Sequence, residues 1–266
     1  MRTRRLCWIP AALLTLAFAV PACGSDGSSG SAGPAPTGAA LSGALEVSAA
    51  SSLTEAFTEL GKRFEVAHPG VDVTFNFAAS STLARQVNDG NDVDVLATAD
   101  EANMEKVTTA GNAVDPRTIA RNRLAIIVGR GNPKAITGLA DLGKRGVVFV
   151  VCAPEVPCGA FASVALTKAG VTAAPASLEE NVKAVVSKVT LDEADAGIVY
   201  VTDVKAAGAE AEGVDIDIAG DPRLEAVYPI AIAKQASHLA AAKAWIAFVL
   251  SDEGQEVLTS FGFRAP

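Results

Sequence analysis

The chain has 266 residues, with 22 Lys and Arg against 30 Asp and Glu and a formal net charge of −8. That acidic excess argues against nucleic acid as a partner, because binding a phosphate backbone needs a basic face. Beyond an N-terminal segment of different composition, about 220 residues remain, enough for one large domain or two lobes.

Arg2, Arg4 and Arg5 precede an apolar stretch from Leu6 to Val20, interrupted by Pro10 and Thr15, and Val20-Pro21-Ala22-Cys23 follows. A positive region, an apolar region and a small residue before a cleavage point form the layout of an export signal. We read residues 1–22 as a signal peptide, since the stretch is too short and too broken to span about 30 Å of hydrocarbon. A cysteine at the cleavage point resembles the lipobox of bacterial lipoproteins. That resemblance implies lipidation of Cys23 and attachment to the outer face of the cell membrane; the alternative is an ordinary secreted protein. From Gly24 to Gly43 the chain is almost wholly Gly, Ser, Ala, Pro and Thr. Such a stretch cannot bury enough apolar surface to order itself, so residues 23–43 read as a flexible tether. Without its first 22 residues the chain keeps 19 basic and 30 acidic residues.

Strand-like and helix-like patterns then alternate. Ala44 to Ala49 is short and extended, and Leu53, Ala56, Phe57, Leu60 and Phe64 recur at helical spacing. Val71 to Phe77 alternates with period two, and a short helix is predicted from Thr82 to Val87. Asp92 to Ala97 reads as a strand and Glu101 to Thr109 as a helix. Leu124 to Val128 and Val147 to Val151 are continuous apolar runs, as in strands covered on both faces. Gly159 to Ala169 and Leu178 to Val189 read as helices, Ala196 to Val201 and Ala226 to Ala233 as strands. Two helices close the chain, Leu239 to Leu250 and Asp252 to Ser260. This alternation predicts an α/β fold with mostly parallel sheets. In such folds ligands sit beyond the carboxyl ends of strands, where helices begin.

Three strand-to-helix turns stand out. Ser51 and Ser52 precede the first long helix; Ser52 offers a hydroxyl to a ligand, or caps the helix with Glu55 in a capping box. Ser80, Ser81 and Thr82 give three hydroxyls where a cap needs one, so the surplus suggests a ligand; a solvated polar turn is the alternative. Ala153 to Ala160 holds two prolines, Cys158 and Gly159, the last able to let a ligand approach the backbone. Cys7 leaves with the signal and Cys23 is assigned to lipid. Cys152 and Cys158 remain, with five residues between them, and are expected to pair in an oxidising compartment. Two free thiols are the alternative; a metal site lacks a nearby His or third Cys.

The block Ala49 to Phe57, the run Phe77 to Gln86, Val93 to Asp100, Pro154 to Gly159, Gly197 to Tyr200 and the terminal Phe261-Gly262-Phe263 together resemble the molybdate-binding proteins of ABC transporters. The resemblance runs from Leu45 to the C-terminus. It implies a two-lobed periplasmic-binding-protein-like fold of type II, with the ligand in the cleft between lobes. Lobe one would comprise 44–122 plus 228–266 and lobe two 123–227, with crossovers near 120–126 and 224–230. Carried over residue by residue, the oxyanion would be held by the hydroxyls of Ser52, Ser80 and Tyr200 and by backbone N–H groups at Cys158 and Val182. Ala79 departs from relatives that carry a further serine there. The implied partner is the permease of an ABC importer, the implied ligand molybdate or tungstate, and the implied protein a monomer without cofactor or enzymatic activity.

An acidic protein can hold such a dianion. Molybdate is an acceptor only, and neutral hydroxyls and amides at helix N-termini supply donors without Lys or Arg. A hydrogen phosphate would also need an acceptor, and none of the matched segments offers a buried carboxylate there. Gly138 to Lys144 spells G-x-x-x-x-G-K, but Arg145 stands where a P-loop has Ser or Thr. His68 and His238 are isolated in sequence and expected on the surface, and no Ser/His/Asp order or G-x-S-x-G elbow supports a hydrolase. Trp245, Phe248 and Leu250 read as core.

Overall fold

The first strand, β1 (Gly43–Ala50), pairs in parallel with β2 (Val71–Ala78) on one side and with β3 (Val95–Ala97) on the other. The structure is a computed structural model and describes residues 41–216 and 224–266. The predicted signal peptide, the Cys23 lipidation site and most of the predicted tether lie outside these residues. The tether's predicted end at Gly43 is already strand, bonded through its N–H to the Gly70 carbonyl. Helices α1 (Thr54–Ala67), α2 (Ser80–Asn88) and α3 (Glu101–Thr109) follow the three strands in turn.

A long strand, β4 (Ala113–Gly129), then leaves this layer. It pairs antiparallel with β9 (Glu225–Ala233) from Ala113 to Arg123, and with β7 (Ala196–Tyr200) from Leu124 to Val128. The second layer is completed by β5 (Phe149–Cys152), β6 (Ser177–Glu179) and β8 (Ala211–Asp215), with α4 (Pro157–Lys168), α5 (Val182–Thr190) and α6 (Val201–Ala207). The chain ends in α7 (Leu239–Val249) and α8 (Asp252–Ser260). Strand order is β2-β1-β3-β9-β4-β7-β5-β6, with β8 alongside β4.

Four of the eight strand pairings among the described residues are antiparallel, so the sheet is less parallel than the alternation predicts. The cause is β4 and β9, which run against their neighbours where the two layers join. The first half of β4 is missing from the sequence reading because Pro116 and charged residues fill it. A central strand tolerates proline only at an irregularity. The register indeed shifts between Val114 and Arg117, and Asp115 sits at φ 53°. Leu178, read as the start of a helix, lies instead on the edge strand β6. The helix begins at Val182, where the Asn181 side chain accepts the Ala184 N–H.

The core under β1 and β2 is aromatic. Trp245 of α7 is fully buried, its ring centroid 5.6 Å from Phe57, 5.4 Å from Phe64 and 5.8 Å from Phe75. His238, isolated in sequence and expected on the surface, is partly buried. Its N–H and Nδ1 reach the buried Asp94 carboxylate, which also accepts the Glu46 N–H and so ties β1 to the start of α7. The near-P-loop is a 3₁₀ turn, Leu139–Gly143, in which Asp141 accepts the Thr137 N–H and pairs with Lys144 at 2.6 Å. Among the described residues no helix is long and apolar enough to cross a membrane.

Trp245→Ala removes the shared partner of four rings, Phe57, Phe64, Phe75 and Phe248. It should cost about 3–5 kcal/mol in urea unfolding while leaving the cavity described below intact. A loss below about 1 kcal/mol would show that the aromatic cluster contributes little.

Candidate functional site

Ser52 lies in a short 3₁₀ turn, Ser51–Leu53, between β1 and α1; Ser80 is the first residue of α2; Cys158 follows Pro157 at the start of α4; Val182 opens α5; and Tyr200 ends β7. All five line one cavity, with Ala50, Ala79 and Ala99 among its other walls. Among the described residues no charged side chain lines it. It leaves about 10 Å³ open to the centre of a water-sized sphere, the scale of one small guest rather than a sugar or peptide.

The hydroxyls are not occupied as caps. No side-chain hydrogen bond caps the 3₁₀ turn, α1 or α2, so the capping-box reading of Ser52 and Glu55 does not hold. Ser52 is buried, its Oγ 2.9 Å from the hydroxyl of Tyr228. Ser80 Oγ accepts the Ala99 N–H at 2.9 Å, which leaves the serine's own proton to donate. Tyr200 is 1% exposed and its hydroxyl has no hydrogen-bond partner among the described residues. Burial pushes both the Tyr200 and Tyr228 phenols well above their usual range, so both stay protonated. An unpartnered buried hydroxyl is costly, and a guest in the cavity that accepted its proton would remove that cost.

Backbone donors complete the wall. The first N–H groups of an α-helix lack intrahelical acceptors and sit at the positive end of its dipole. α2, α4 and α5 present such ends here, at Ser80, Cys158 and Val182. Cys158 is joined to Cys152, the last residue of β5, by a disulfide with 5.7 Å between Cα atoms. Gly159 acts differently from its sequence reading. A Cβ there would lie 2.0 Å from the Ala153 carbonyl oxygen and 2.4 Å from that of Cys152, so it admits the disulfide loop's own backbone rather than a ligand.

A charged group sits behind this wall. Lys183 Nζ lies 2.8 Å from a Glu55 carboxylate oxygen and 3.1 Å from Asp203 Oδ1, linking α5 to α1 and α6. Burial pushes the Asp203 carboxyl up to about 6, against the pull of Lys183 and the hydrogen bond from the Tyr200 N–H. Burial alone would lower the Lys183 ammonium, but Asp203 and Glu55 outweigh it and hold it above its usual value.

Sequence reasoning missed Asp203, Lys183, Tyr228 and Asn122, whose side-chain amide lies 3.4 Å from the Tyr228 hydroxyl. Only Asp203 had a local signal, its spacing of three from Tyr200. Tyr228 reaches Ser52 across 176 positions, a separation no local pattern encodes. Among the described residues, no group of three or more His, Cys, Asp and Glu is placed to hold a metal ion.

The chain matches the model for bacterial extracellular solute-binding proteins over residues 45–264. It is 40% identical over 246 residues to a molybdate-binding protein of Mycobacterium tuberculosis, covering 92% of each chain. A substrate-binding lipoprotein of an ABC transporter in Bacillus subtilis, named as putative, is 27% identical over 96% of each chain. Among solved structures, the periplasmic molybdate-binding protein of Azotobacter vinelandii superposes with a TM-score of 0.71 at 19% identity, over 84% of this chain and 99% of that one. The sulfate-binding protein SubI of Mycobacterium tuberculosis gives 0.72 at 18%, over 84% and 86%. These two likenesses show the two-lobed periplasmic-binding-protein fold of type II. The chain belongs to the bacterial extracellular solute-binding proteins, which are transport components rather than enzymes.

Proposed function

We propose that this protein captures molybdate outside the cytoplasm and delivers it to the permease of an ABC importer. The observation that carries this reading is the Tyr200 hydroxyl. It is buried, protonated and without a partner among the described residues, on the wall of a cavity that none of their charged side chains lines and whose serine and helix N-terminal groups are donors. A proton-free tetrahedral dianion is the guest such a wall suits. The identity of 40% to a molybdate-binding protein favours molybdate among such ions. Ser52, Ser80 and Tyr200 would donate from side chains, Cys158 and Val182 from the backbone. Tungstate has nearly the same size and the same acceptors, and binds as well in this proposal. Sulfate is smaller and fits loosely.

Residues 44–122 and 228–266 would form lobe one and residues 123–227 lobe two. The hinge would lie where β4 changes partner between Arg123 and Leu124 and where the chain enters β9. A ligand favours the closed form by touching both lobes at once. The bridge from Glu55 to Lys183 also joins the two. Lipid on Cys23 would hold a monomer at the membrane, as the lipoprotein name of the Bacillus relative suggests. No resident cofactor enters the proposal.

Calorimetric titration with molybdate, tungstate, sulfate and phosphate tests the substrate. Molybdate and tungstate should bind most tightly, and equal affinity for sulfate or phosphate would overturn the assignment. Ser52→Ala or Tyr200→Phe removes one hydrogen bond to a charged guest, worth about 1.5–3 kcal/mol, and should weaken molybdate about 10- to 100-fold with little change in folding. Wild-type affinity in either variant would remove that residue from the site.

Asp203 gives a pH signature. Its carboxyl titrates near 3.8 when unfolded and at about 6 when folded. Between those values the folded state holds the extra proton, so this group favours folding at the acid end, and the contribution is lost as pH rises through about 6. Urea stability from about pH 4 to about pH 7 should therefore fall with pH for wild type relative to Asp203→Asn. A difference that is flat across this window would place the carboxyl at its ordinary value.

A further inference from the structure

We propose that Asn122 and Tyr228 fix the direction of the Ser52 hydroxyl proton and thereby make the site select proton-free oxyanions over protonated ones. This rests on reading the cavity as the oxyanion site. Neither residue lines the cavity. Both are buried, Tyr228 completely, so they act as positioning residues.

The argument starts at a backbone amide. The Arg123 N–H donates to Asn122 Oδ1 at 2.9 Å, which fixes the orientation of the Asn122 side-chain amide. Asn122 Nδ2 then faces Thr202 Oγ1 at 2.9 Å and the Tyr228 hydroxyl at 3.4 Å. An amide nitrogen only donates, so Tyr228 Oη must accept from it. The phenol's own proton then has, among the described residues, one acceptor within reach, Ser52 Oγ at 2.9 Å. Were Ser52 to donate to Tyr228 instead, the phenol proton would be buried without a partner, at a cost of the order of that of a lost hydrogen bond. The proton therefore runs from Tyr228 to Ser52, and the serine's own proton turns to the cavity.

Ser80 reaches the same state by a shorter route, since the Ala99 N–H occupies its oxygen. Both serines thus face the guest as donors. An oxyanion oxygen that carries a proton needs an acceptor and meets a second proton instead. The backbone around Tyr228 supports this role: Gly262, at φ 100°, turns the C-terminal chain so that Phe263 packs edge-on against the Tyr228 ring at 5.3 Å.

The test is a double-mutant cycle of Tyr228→Phe and Asn122→Ala, titrated with molybdate, sulfate and inorganic phosphate near pH 7, with circular dichroism confirming the fold. Tyr228→Phe frees the Ser52 hydroxyl to rotate. It should weaken molybdate and sulfate about tenfold and phosphate less, so that discrimination against phosphate shrinks. Asn122→Ala should weaken molybdate in the wild-type background and have no further effect in the Tyr228→Phe background, because the amide reaches Ser52 only through the phenol. Equal losses for all three ions, additive losses for the two substitutions, or wild-type molybdate affinity in Tyr228→Phe would each overturn the proposal. The molybdate assignment fails separately, on the wild-type titration alone; the cycle is then read on whichever proton-free oxyanion the wild type binds.

Discussion

The proposed site depends on one requirement: a small anion must be held without a charged side chain touching it. Hydroxyls and backbone N–H groups are weak donors one at a time, so they must converge, and each must have its proton free to face the guest. The fold meets this by ending strands and starting helices around a single point. Ser80, Cys158 and Val182 come to the cavity because each stands at a helix start. The acidic balance of the chain does not oppose this, since Asp203 and Glu55 are paired with Lys183 behind the wall rather than on it.

The second requirement is rigidity behind the donors. Pro157 starts α4 with its backbone angle already fixed, and the disulfide of Cys158 to the end of β5 holds that helix start to the sheet. Gly159 makes this possible by letting the loop carbonyls of Cys152 and Ala153 pass where any side chain would clash. The Tyr228 phenol plays the corresponding part for Ser52. In both places the group that meets the cavity is held by another that does not.

Much of this was legible in sequence because it is local. Alternating patterns placed α3 and α8 at their observed bounds, and hydroxyl-rich turns after strands marked Ser52 and Ser80. What was not legible is what the chain brings together from far apart. Asn122 sits in a stretch that Pro116 and its charged neighbours disguise as a loop, and it becomes a strand residue only through pairing with β9. Tyr228 looks like one more apolar position of a strand. Its hydroxyl gains meaning only from Ser52 and Asn122, which different parts of the chain supply. Gly159 misled for the opposite reason: its small size was plain, but which neighbour used the space was not.

The place where β4 changes partners has a mechanical consequence. Arg123 of β4 stands beside Glu225 at the start of β9, so the chain leaves one layer and returns to it at adjacent points. Glu225 grips Arg121 at 2.9 Å and Arg264 of the C-terminal segment at 2.6 Å. Two strands held side by side bend and twist but do not slide past each other. Opening of the proposed lobes would therefore proceed by bending and twisting of this strand pair rather than by sliding of one lobe over the other. Donors on facing sides would then part without losing the register that brings them together again.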